Sequence, residues 1–292
     1  MTAADRAIQL VREMVASENR HDLEGTFAAW AEDMKTYWNG ALISSSRAQV
    51  QAGFAPMYRA LPDYDREIQW IGATNDRVVF QWVTRATHGG RWLGRDGTGK
   101  HIELRGCSIC TFDGERLTVA RIHTDQGEMD RQLAGKVRSA TARAPEASPP
   151  VLGAAEKRRM EAVSEQLARA VYESESRRDI DGFVAGYADP FVDHGPAGAM
   201  TLTRDFLRRA TEELWKNHPP IHREVEEAIN VGNRTTLRWR LDTVSEEGQA
   251  IKQHGCTVFE HNGRKITRSW AYYPDIVAVF PSIRALMKDV SG

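Results

Sequence analysis

Residues 101–124 read HIELRGCSICTFDGERLTVARIHT, which is the pattern of two β-strands joined by a tight turn. Runs rich in β-branched residues lie on both sides of Asp113-Gly114, a dipeptide that is typical of hairpin turns. The stretch therefore predicts strands over residues 101–112 and 116–124, paired antiparallel. A hairpin of this length needs further strands or helices to cover its apolar face.

The helices are predicted to precede the sheet. Apolar residues recur at helical spacing over 4–19, Asp22 can cap a second helix that extends to about Glu32, and a third helix is expected over about 46–61. Extended runs at 66–72 and 77–87 then lead into the hairpin. Helices followed by a curved, mostly antiparallel sheet predict an α+β fold, in which the helices wrap the sheet into a cone with an internal cavity.

The sequence contains one internal repeat. Asp22-Leu23-Glu24-Gly25 returns as Asp179-Ile180-Asp181-Gly182, an offset of 179 − 22 = 157 residues. The same offset relates five further pairs: Trp30 and Tyr187, Pro62 and Pro219, Glu67 and Glu224, Arg77 and Arg234, and Trp82 and Trp239. Gly106-Cys107 then matches Gly255-Cys256 at an offset of 255 − 106 = 149. The difference, 157 − 149 = 8 residues, predicts a longer loop in the first copy.

The repeat sets the predicted domain boundaries. We expect a first domain over 1–135, a linker over 136–154 and a diverged second domain over 155–292. The linker prediction rests on residues 140–150, where small residues and prolines occur without apolar periodicity.

Composition excludes several classes of protein. The formal net charge is −1, which argues against a nucleic-acid partner because phosphate binding needs a basic surface. No apolar run approaches the roughly 20 residues that span a bilayer, and the N-terminus lacks the apolar core of a signal peptide. We therefore expect a cytoplasmic protein with no membrane partner.

Motifs for metals and cofactors are not found in the sequence. Cys107 and Cys110 have the C-x-x-C spacing, but in a predicted strand a separation of three residues points them to opposite faces. No paired Cys/His spacing of a metal site accompanies them, so no metal site is expected. Residues 94–100 fit the spacing of a phosphate-binding loop, but a predicted strand follows them where that loop requires a helix. The expectation is a protein that uses no cofactor.

The first copy resembles the SnoaL-like polyketide cyclase branch of the NTF2-like superfamily. The resemblance rests on several short segments in a characteristic order: the opening helix, Trp30-Ala31-Glu32-Asp33, Leu61-Pro62-Asp63, Thr87-His88-Gly89, Gly97-Thr98-Gly99-Lys100, Asp113-Gly114, and Asp125 ahead of Gln132-Leu133. The second copy resembles the same superfamily more loosely. The resemblance implies two tandem NTF2-like cone-shaped barrels. Many relatives are homodimers, so an intrachain pseudo-dimer is expected, with a further homodimer as an option.

The resemblance also implies an acid–base carboxylate at the end of the last strand, which Asp125 matches. Arg121 and His123 precede it at alternate positions, so the three side chains are predicted to share one face of a strand. If that face lines the cavity, burial raises the pKa of Asp125 while Arg121 lowers it, as a tuned base requires. A surface ion pair at the rim of the barrel is the alternative.

Other residues are candidates for binding the substrate. Arg105 and Thr111 are predicted to face the cavity from the partner strand, where Arg105 is able to hold a developing oxyanion. Tyr37 and Trp38 follow the second helix, where the family lines its pocket mouth, and His88 lies in the entrance loop. A core role for Trp38 and a solvated role for His88 are the alternatives.

The second copy departs from this pattern. Its candidates are His194, His254, Tyr272 and Asp275, since Pro274 stands in the place of Asp125. The second pocket is either differently equipped or a retired site that serves as a built-in dimer partner.

These features predict a cofactor-independent acid–base enzyme of the lyase, cyclase or dehydratase/isomerase type, acting on a small apolar or aromatic substrate. The family resemblance implies aldol cyclisation of a polyketide-type substrate. A second alternative is a C–C lyase that releases formaldehyde from lignin-derived diaryl compounds. A non-catalytic ligand-binding protein is the alternative from another class.

Overall fold

The computed structural model describes residues 1–135, 153–195, 198–217, 221–245 and 248–274. The chain divides into two compact units, 1–148 and 149–292, which we call the first and second domain. Most of the predicted linker, 136–152, lies outside the described residues. No helix in the described ranges has the length and apolar character needed to cross a bilayer.

The first domain begins with helices and continues with strands, as predicted. Its elements are α1 (Ala3–Asn19), α2 (Leu23–Ala28), β1 (Trp30–Trp38), β2 (Ala41–Ser44), α3 (Arg47–Ala60), β3 (Asp65–Ala73), β4 (Arg77–Thr87), β5 (His101–Phe112), β6 (Leu117–Thr124) and α4 (Gln126–Leu133). The second domain repeats the order with α5 (Ala154–Ser176), α6 (Ile180–Ala185), β7 (Tyr187–Gly195), β8 (Gly198–Leu202), α7 (Arg204–Asn217), β9 (His222–Val231), β10 (Arg234–Val244), β11 (Ala250–His261) and β12 (Ile266–Tyr272).

Each domain contains one six-stranded sheet. The first sheet has the order β2-β1-β6-β5-β4-β3, and the second has the equivalent order β8-β7-β12-β11-β10-β9. One pair in each sheet is parallel, β1 with β6 and β7 with β12, and the remaining pairs are antiparallel. The predicted α+β fold, in two tandem copies with mostly antiparallel sheets, is confirmed.

One local prediction was wrong. The second helix ends at Ala28 rather than near Glu32, because Trp30 already pairs with Leu117 in the sheet. The last strand ends at Thr124, as predicted, and helix α4 follows it at once with Asp125 as its N-cap. The sequence analysis did not predict α4, because a single capping aspartate between a strand and a short helix looks like one more strand residue.

The longer loop of the first copy lies between β4 and β5. This connection has 13 residues in the first domain, 88–100, and 5 residues between β10 and β11, 245–249, which gives the predicted difference of 13 − 5 = 8. The backbone N–H groups of Gly89 and Gly90 donate to the carbonyl of Ala60, at 2.8 and 3.1 Å. The loop is thereby attached to the end of α3.

A tryptophan lies across a glycine in the core of each domain. Trp82 is buried, and a Cβ added at Gly106 would lie 2.2 Å from its ring. The indole Nε1 donates to Ser108 Oγ at 2.9 Å. Trp239 and Gly255 have the same relation in the second domain, again with a Cβ distance of 2.2 Å. Glycine is therefore required at both positions, because any side chain would displace the indole.

We expect Gly106→Ala to destabilise the protein by roughly 1–3 kcal/mol, the usual cost of overpacking a rigid core. Urea unfolding would measure the change. Gly53→Ala is the matched control, because a Cβ at Gly53, inside α3, meets no atom within 4 Å. The control should be stabilising by about 0.5–1 kcal/mol, as for an ordinary helical glycine. Equal stability of the two variants would contradict the packing argument.

Candidate functional site

The first domain encloses a cavity between helices α1–α3 and one face of its sheet. Its volume is about 140 Å³. Apolar side chains form most of its wall: Met14, Phe27, Trp30, Met34, Trp38, Ile43, Val50, Phe54, Met57, Leu61, Phe80, Trp92, Ile102, Leu104, Ala120 and Ile122. Such a wall favours an apolar ligand over a charged one.

The size of the cavity restricts the ligand. An apolar cavity of about 150 Å³ in another protein is sufficient to admit benzene, so this volume fits a single ring. Ile43 lines the cavity and is nevertheless 56% exposed, which places an opening beside β2. Trp92, from the long β4–β5 loop, also contributes to the wall.

One ion pair interrupts the apolar wall. Glu18 at the end of α1 and Arg66 in β3 both line the cavity, and Arg66 Nη1 lies 2.9 Å from Glu18 Oε2. Their side chains are only 3% and 15% exposed. The hydroxyl of Tyr64 donates to the same oxygen at 3.2 Å. Both contacts therefore go to the same carboxylate oxygen.

Arg66 is held in place by its neighbours. The side-chain amide of Asn19 donates to the carbonyl of Arg66 at 2.9 Å and accepts from its N–H at 2.8 Å. The guanidinium Nε donates to Thr84 Oγ1 at 3.1 Å, and the group lies 4.4 Å from the ring centre of Trp82. The cation therefore has a fixed position at the cavity wall.

Burial changes the acid–base properties of this group. Desolvation raises the pKa of Glu18, and the attraction of Arg66 and the hydrogen bond from Tyr64 only partly oppose that effect. Burial also raises the pKa of Tyr64 well above its ordinary value, so the phenol keeps its proton at neutral pH. The site thus combines a carboxylate of increased basicity, a phenol that donates and a fixed cation.

Three predicted site residues lie on the other face of the sheet. In the β5–β6 register Cys107 is opposite His123 and Ile109 is opposite Arg121, while the cavity is lined by the alternate residues. The prediction that Arg105 faces the cavity was therefore wrong, and the condition set for Arg121 and His123, that their face lines the cavity, is not met. Alternation along a strand sends every second side chain to the opposite face, so an error of one position reverses the prediction.

These residues have other partners on that face. Arg105 forms an ion pair with Glu103 at 2.8 Å, and Glu103 also binds Arg85 at 3.1 Å. The guanidinium of Arg121 lies 5.4 Å from the ring centre of Tyr37. His123 is buried.

Asp125 begins a helix rather than ending a strand. Its side chain accepts a hydrogen bond from the backbone N–H of Glu128 at 2.8 Å, and Arg131 Nη2 lies 3.4 Å from its other oxygen. The strand ends just before Asp125, whose own backbone is still extended, and the shared face with Arg121 and His123 stays a prediction. The residues that line the cavity do not include Asp125.

The predicted binding residues are divided between the two faces. Trp38 lines the cavity. Tyr37, its neighbour, points to the other face beneath Arg121, and Thr111 shares that face opposite Val119. The cavity location predicted for Thr111 was therefore wrong.

His88 is buried rather than solvated at the entrance. Its Nδ1 lies 3.2 Å from Thr98 Oγ1. Burial lowers the pKa of His88, and the charge of Arg95 lowers it further, so the imidazole is neutral at pH 7. His88 therefore stabilises the β4–β5 loop through its contact with Thr98.

Family models match both halves of the chain. One, described as SnoaL-like polyketide cyclase, matches residues 8–133, and another, described as SnoaL-like domain, matches residues 168–269. The chain belongs to the SnoaL-like family. The two matches lie in tandem, so the duplication inferred from the repeat is confirmed.

Solved structures also match the SnoaL-like chain. AclR, a candidate hydroxylase from Streptomyces galilaeus, is 26% identical, with a TM-score of 0.42 over 46% of this chain and 98% of its own. A candidate polyketide cyclase from Acidithiobacillus ferrooxidans is 25% identical, with a TM-score of 0.40 over 47% and 100%. An NTF2-like protein of unknown function from Burkholderia pseudomallei is 21% identical, with a TM-score of 0.38 over 46% and 98%. No curated protein matches the chain.

Three candidates of the second SnoaL-like domain lie on the adjacent strands β7, β12 and β11: His194, Tyr272 and His254. His194 stacks on Trp270, with ring centres 4.7 Å apart, and Nδ1 of His254 lies 3.4 Å from a carboxylate oxygen of Glu226. Tyr272 is buried opposite Cys256. Asp275 lies outside the described residues.

A serine–histidine pair in the second domain is structural. Nε2 of His261 lies 2.7 Å from Ser164 Oγ, as in a nucleophilic dyad. However, the N–H of Gly263 donates to Nδ1 at 3.0 Å, so the ring proton is on Nε2 and is donated to the serine. The histidine therefore cannot accept the serine proton. Within the described residues no group of three His, Cys, Asp or Glu side chains is placed to hold a metal ion.

The sequence analysis missed the ion pair at the cavity. A signal was present, because the offset of 157 that defines the repeat also relates Glu18 to Glu175 and Arg66 to Arg223. Glu175 and Arg223 form the equivalent buried ion pair in the second domain. A charged pair that recurs at the repeat offset indicates spatial contact, even where both residues belong to different elements.

We expect Glu18→Gln and Arg66→Met to cost about 3–5 kcal/mol each, because each leaves a buried charge without its partner. The double variant should cost less than the sum. A double-mutant cycle in urea measures this coupling. Arg47 and Glu32 are the control pair, since Glu32 is 78% exposed and surface pairs contribute only about 0–1 kcal/mol. Simple additivity at Glu18 and Arg66 would contradict the prediction.

Proposed function

We propose that the first domain is a cofactor-independent acid–base enzyme of the cyclase or isomerase type, acting on a small apolar substrate of about one ring. The observation that carries the proposal is a buried carboxylate in the wall of an otherwise apolar cavity. The family supports the same reaction class, since the model that matches residues 8–133 is described as a SnoaL-like polyketide cyclase.

Glu18 is the proposed base. Its Oε1, on the side away from Arg66 and Tyr64, takes a proton from the carbon beside a substrate carbonyl, and the electron pair of the C–H bond passes to the carbonyl oxygen as an enolate. Removing water from a carboxylate increases its basicity, which is the condition that base catalysis at neutral pH requires. Before the proton transfer, the positive charge of Arg66 stabilises the ionised carboxylate of Glu18. When Glu18 becomes neutral, the same charge stabilises the enolate.

The enolate has two productive outcomes. Return of the proton from Glu18 to a different carbon isomerises the substrate. Attack of the enolate carbon on a second carbonyl of the same molecule closes a ring, and the proton of Glu18 then neutralises the alkoxide. The volume of about 140 Å³ favours substrates of one ring. A diaryl substrate requires the opening beside Ile43 to widen, which makes the formaldehyde-releasing lyase the less favoured alternative.

A binding protein without catalysis is the rival function. The same cavity binds an apolar ligand whether or not Glu18 transfers a proton, and the ion pair then contributes stability alone. The occurrence of an equivalent pair in both domains supports this rival. Turnover therefore has to be measured separately from binding.

The experiment is a mass-spectrometric screen of the full chain against single-ring ketones, β-diketones and phenols without added cofactor. We expect turnover that Glu18→Gln reduces by about 10²–10⁴-fold, the usual contribution of a general base. Glu175→Gln is the matched control, because it removes the same ion pair from the second domain and should leave turnover near wild type. Equal loss in both variants would indicate destabilisation and not catalysis.

Asp125→Asn compares the two carboxylates directly. Asparagine is as good an N-cap as aspartate, so this variant should fold normally and keep its turnover. If Asp125→Asn abolishes turnover while Glu18→Gln does not, the base is Asp125 and the assignment to Glu18 is wrong.

The pH dependence gives an independent prediction. Glu18 must be ionised to accept a proton, and burial raises its pKa. The rate should therefore increase with pH, with its acidic limb displaced above the ordinary range of glutamate near 4.3. Measuring kcat/KM from pH 4 to pH 8 tests this, and an acidic limb at the ordinary glutamate value would contradict it.

A further inference from the structure

The cavity wall of the first domain contains a hydroxyl group that the protein leaves unpaired. Thr36 lies in β1, lines the cavity and is only 3% exposed. Its Oγ1 is buried and forms no hydrogen bond with any described residue. A buried hydroxyl without a partner disfavours folding, and an oxygen atom of a ligand would supply the partner that the chain does not.

The other hydroxyl groups of the described cavity wall have protein partners. Each of them donates to or accepts from another residue at 2.7–3.2 Å: Thr26, Tyr64, Thr84 and Ser108. Thr124 has an equally buried hydroxyl without a partner, but it is not among the residues that line the cavity. Thr36 therefore combines two properties, an unpaired hydroxyl and a place in the cavity wall.

The strand pattern directs the side chain of Thr36 at the cavity. Met34, Thr36 and Trp38 alternate along β1 and all line the cavity, whereas Tyr37 lies on the other face. Ala120, which is opposite Thr36 in β6, also lines the cavity and has only a methyl group. This small neighbour leaves room for a ligand beside Thr36.

Thr36 and the ion pair lie at opposite sides of the cavity. Arg66 is in the edge strand β3 and Thr36 is in β1, with β4, β5 and β6 between them. Ile43, at the opening, is next in sequence to Ser44, which is opposite Thr36 in the sheet. A ligand that enters beside Ile43 therefore has Thr36 at its near end and Glu18 at its far end.

The surroundings of Thr36 favour an uncharged ligand oxygen. Arg66 is the one cation among the described residues of the cavity wall, and it is paired with Glu18. Cys110 follows Ala120 across the sheet, and burial raises the pKa of its thiol to about 12, so it stays neutral. A threonine hydroxyl donates to a carbonyl oxygen and accepts from a hydroxyl group. A neutral oxygen of either kind fits this end of the cavity, whereas a carboxylate would lack a counter-ion.

We infer that Thr36 determines substrate specificity, because its hydroxyl binds a second, uncharged oxygen of the ligand at the end remote from Glu18. The ligand is thereby a single-ring compound with an oxygen at each of two opposite ends, such as a hydroxyaryl ketone. The inference rests on the proposed function only for the reactive end, where Glu18 is the base.

Calorimetric titration of the full chain with acetophenone and 4-hydroxyacetophenone tests the inference, since the two compounds differ by one hydroxyl group. We expect the wild-type protein to bind 4-hydroxyacetophenone about three- to tenfold more tightly, the usual contribution of one hydrogen bond. Thr36→Val, which keeps nearly the same shape without the hydroxyl, should bind the two compounds equally. Thr36→Ser, which keeps a hydroxyl, should retain the preference.

Thr124→Val is the matched control for this titration. It removes a hydroxyl that is equally buried and unpaired but lies outside the cavity wall, so it should retain the preference. Binding of neither compound, no preference in the wild-type protein, or a preference that Thr36→Val retains would each overturn the inference. The titration records binding alone, so it can succeed where the turnover screen fails, and the failure of one proposal is distinguishable from the failure of the other.

Stability without ligand provides the second measurement. Thr36→Val removes a hydroxyl that has no partner among the described residues, so the thermal midpoint should stay the same or rise. Thr84→Val is the comparison, because the hydroxyl of Thr84 accepts a hydrogen bond from Arg66 and its loss should lower the midpoint. A clear decrease for Thr36→Val would show that this hydroxyl serves folding and would reject the ligand contact.

Discussion

The architecture of each domain depends on a buried ion pair between its first helix and the strand that follows its helices. In the first domain the pair joins Glu18 to Arg66, and the guanidinium lies against Trp82, whose indole in turn occupies the space left by Gly106. Helix, strand and sheet are thus fixed by one chain of contacts. A charge inside an apolar core is tolerated only next to its partner, so the ion pair restricts α1 to one position on the sheet. The cavity is the space that remains between the helices and the sheet in this arrangement.

The strands, the turns and the duplication were predictable from the sequence, because they depend on local pattern. The site was less predictable for a physical reason. Strand β5 is buried on both faces, with Leu104 on the cavity side and Cys107 on the other. Alternation between apolar and polar residues, the usual indicator of the inner face, is therefore missing. The choice of face then depends on which side the helices cover, and no short segment encodes that.

Glu18 was missed for a similar reason. A glutamate near the end of an amphipathic helix is usually solvated, and only tertiary packing turns it inwards against β3. Helix α4 was also missed, because the strand and the capping Asp125 have no boundary signal between them. In both cases the local sequence is compatible with two environments, and the long-range contact decides between them.

The two domains share one set of packing contacts and differ in other inward-facing residues. Each has the ion pair, the tryptophan and its glycine. Other positions differ: Thr36 and Ala120 line the cavity of the first copy, and the residues at the equivalent positions of the second are Asp193 and Ser269. Such divergence is expected where the ion pair, the tryptophan and the glycine stabilise the fold and the other inward-facing positions are free to change.

The loop between β4 and β5 has a consequence for how such a duplicated chain evolves. Its eight additional residues bring Trp92 into the cavity wall of the first domain, while the second domain has a short turn at the equivalent place. An insertion in this loop changes the ligand selectivity of one domain without altering the strands of that domain. Both domains belong to one polypeptide, but each has its own version of this loop. One domain can therefore evolve to bind a different molecule while the other stays unchanged, and one gene encodes both.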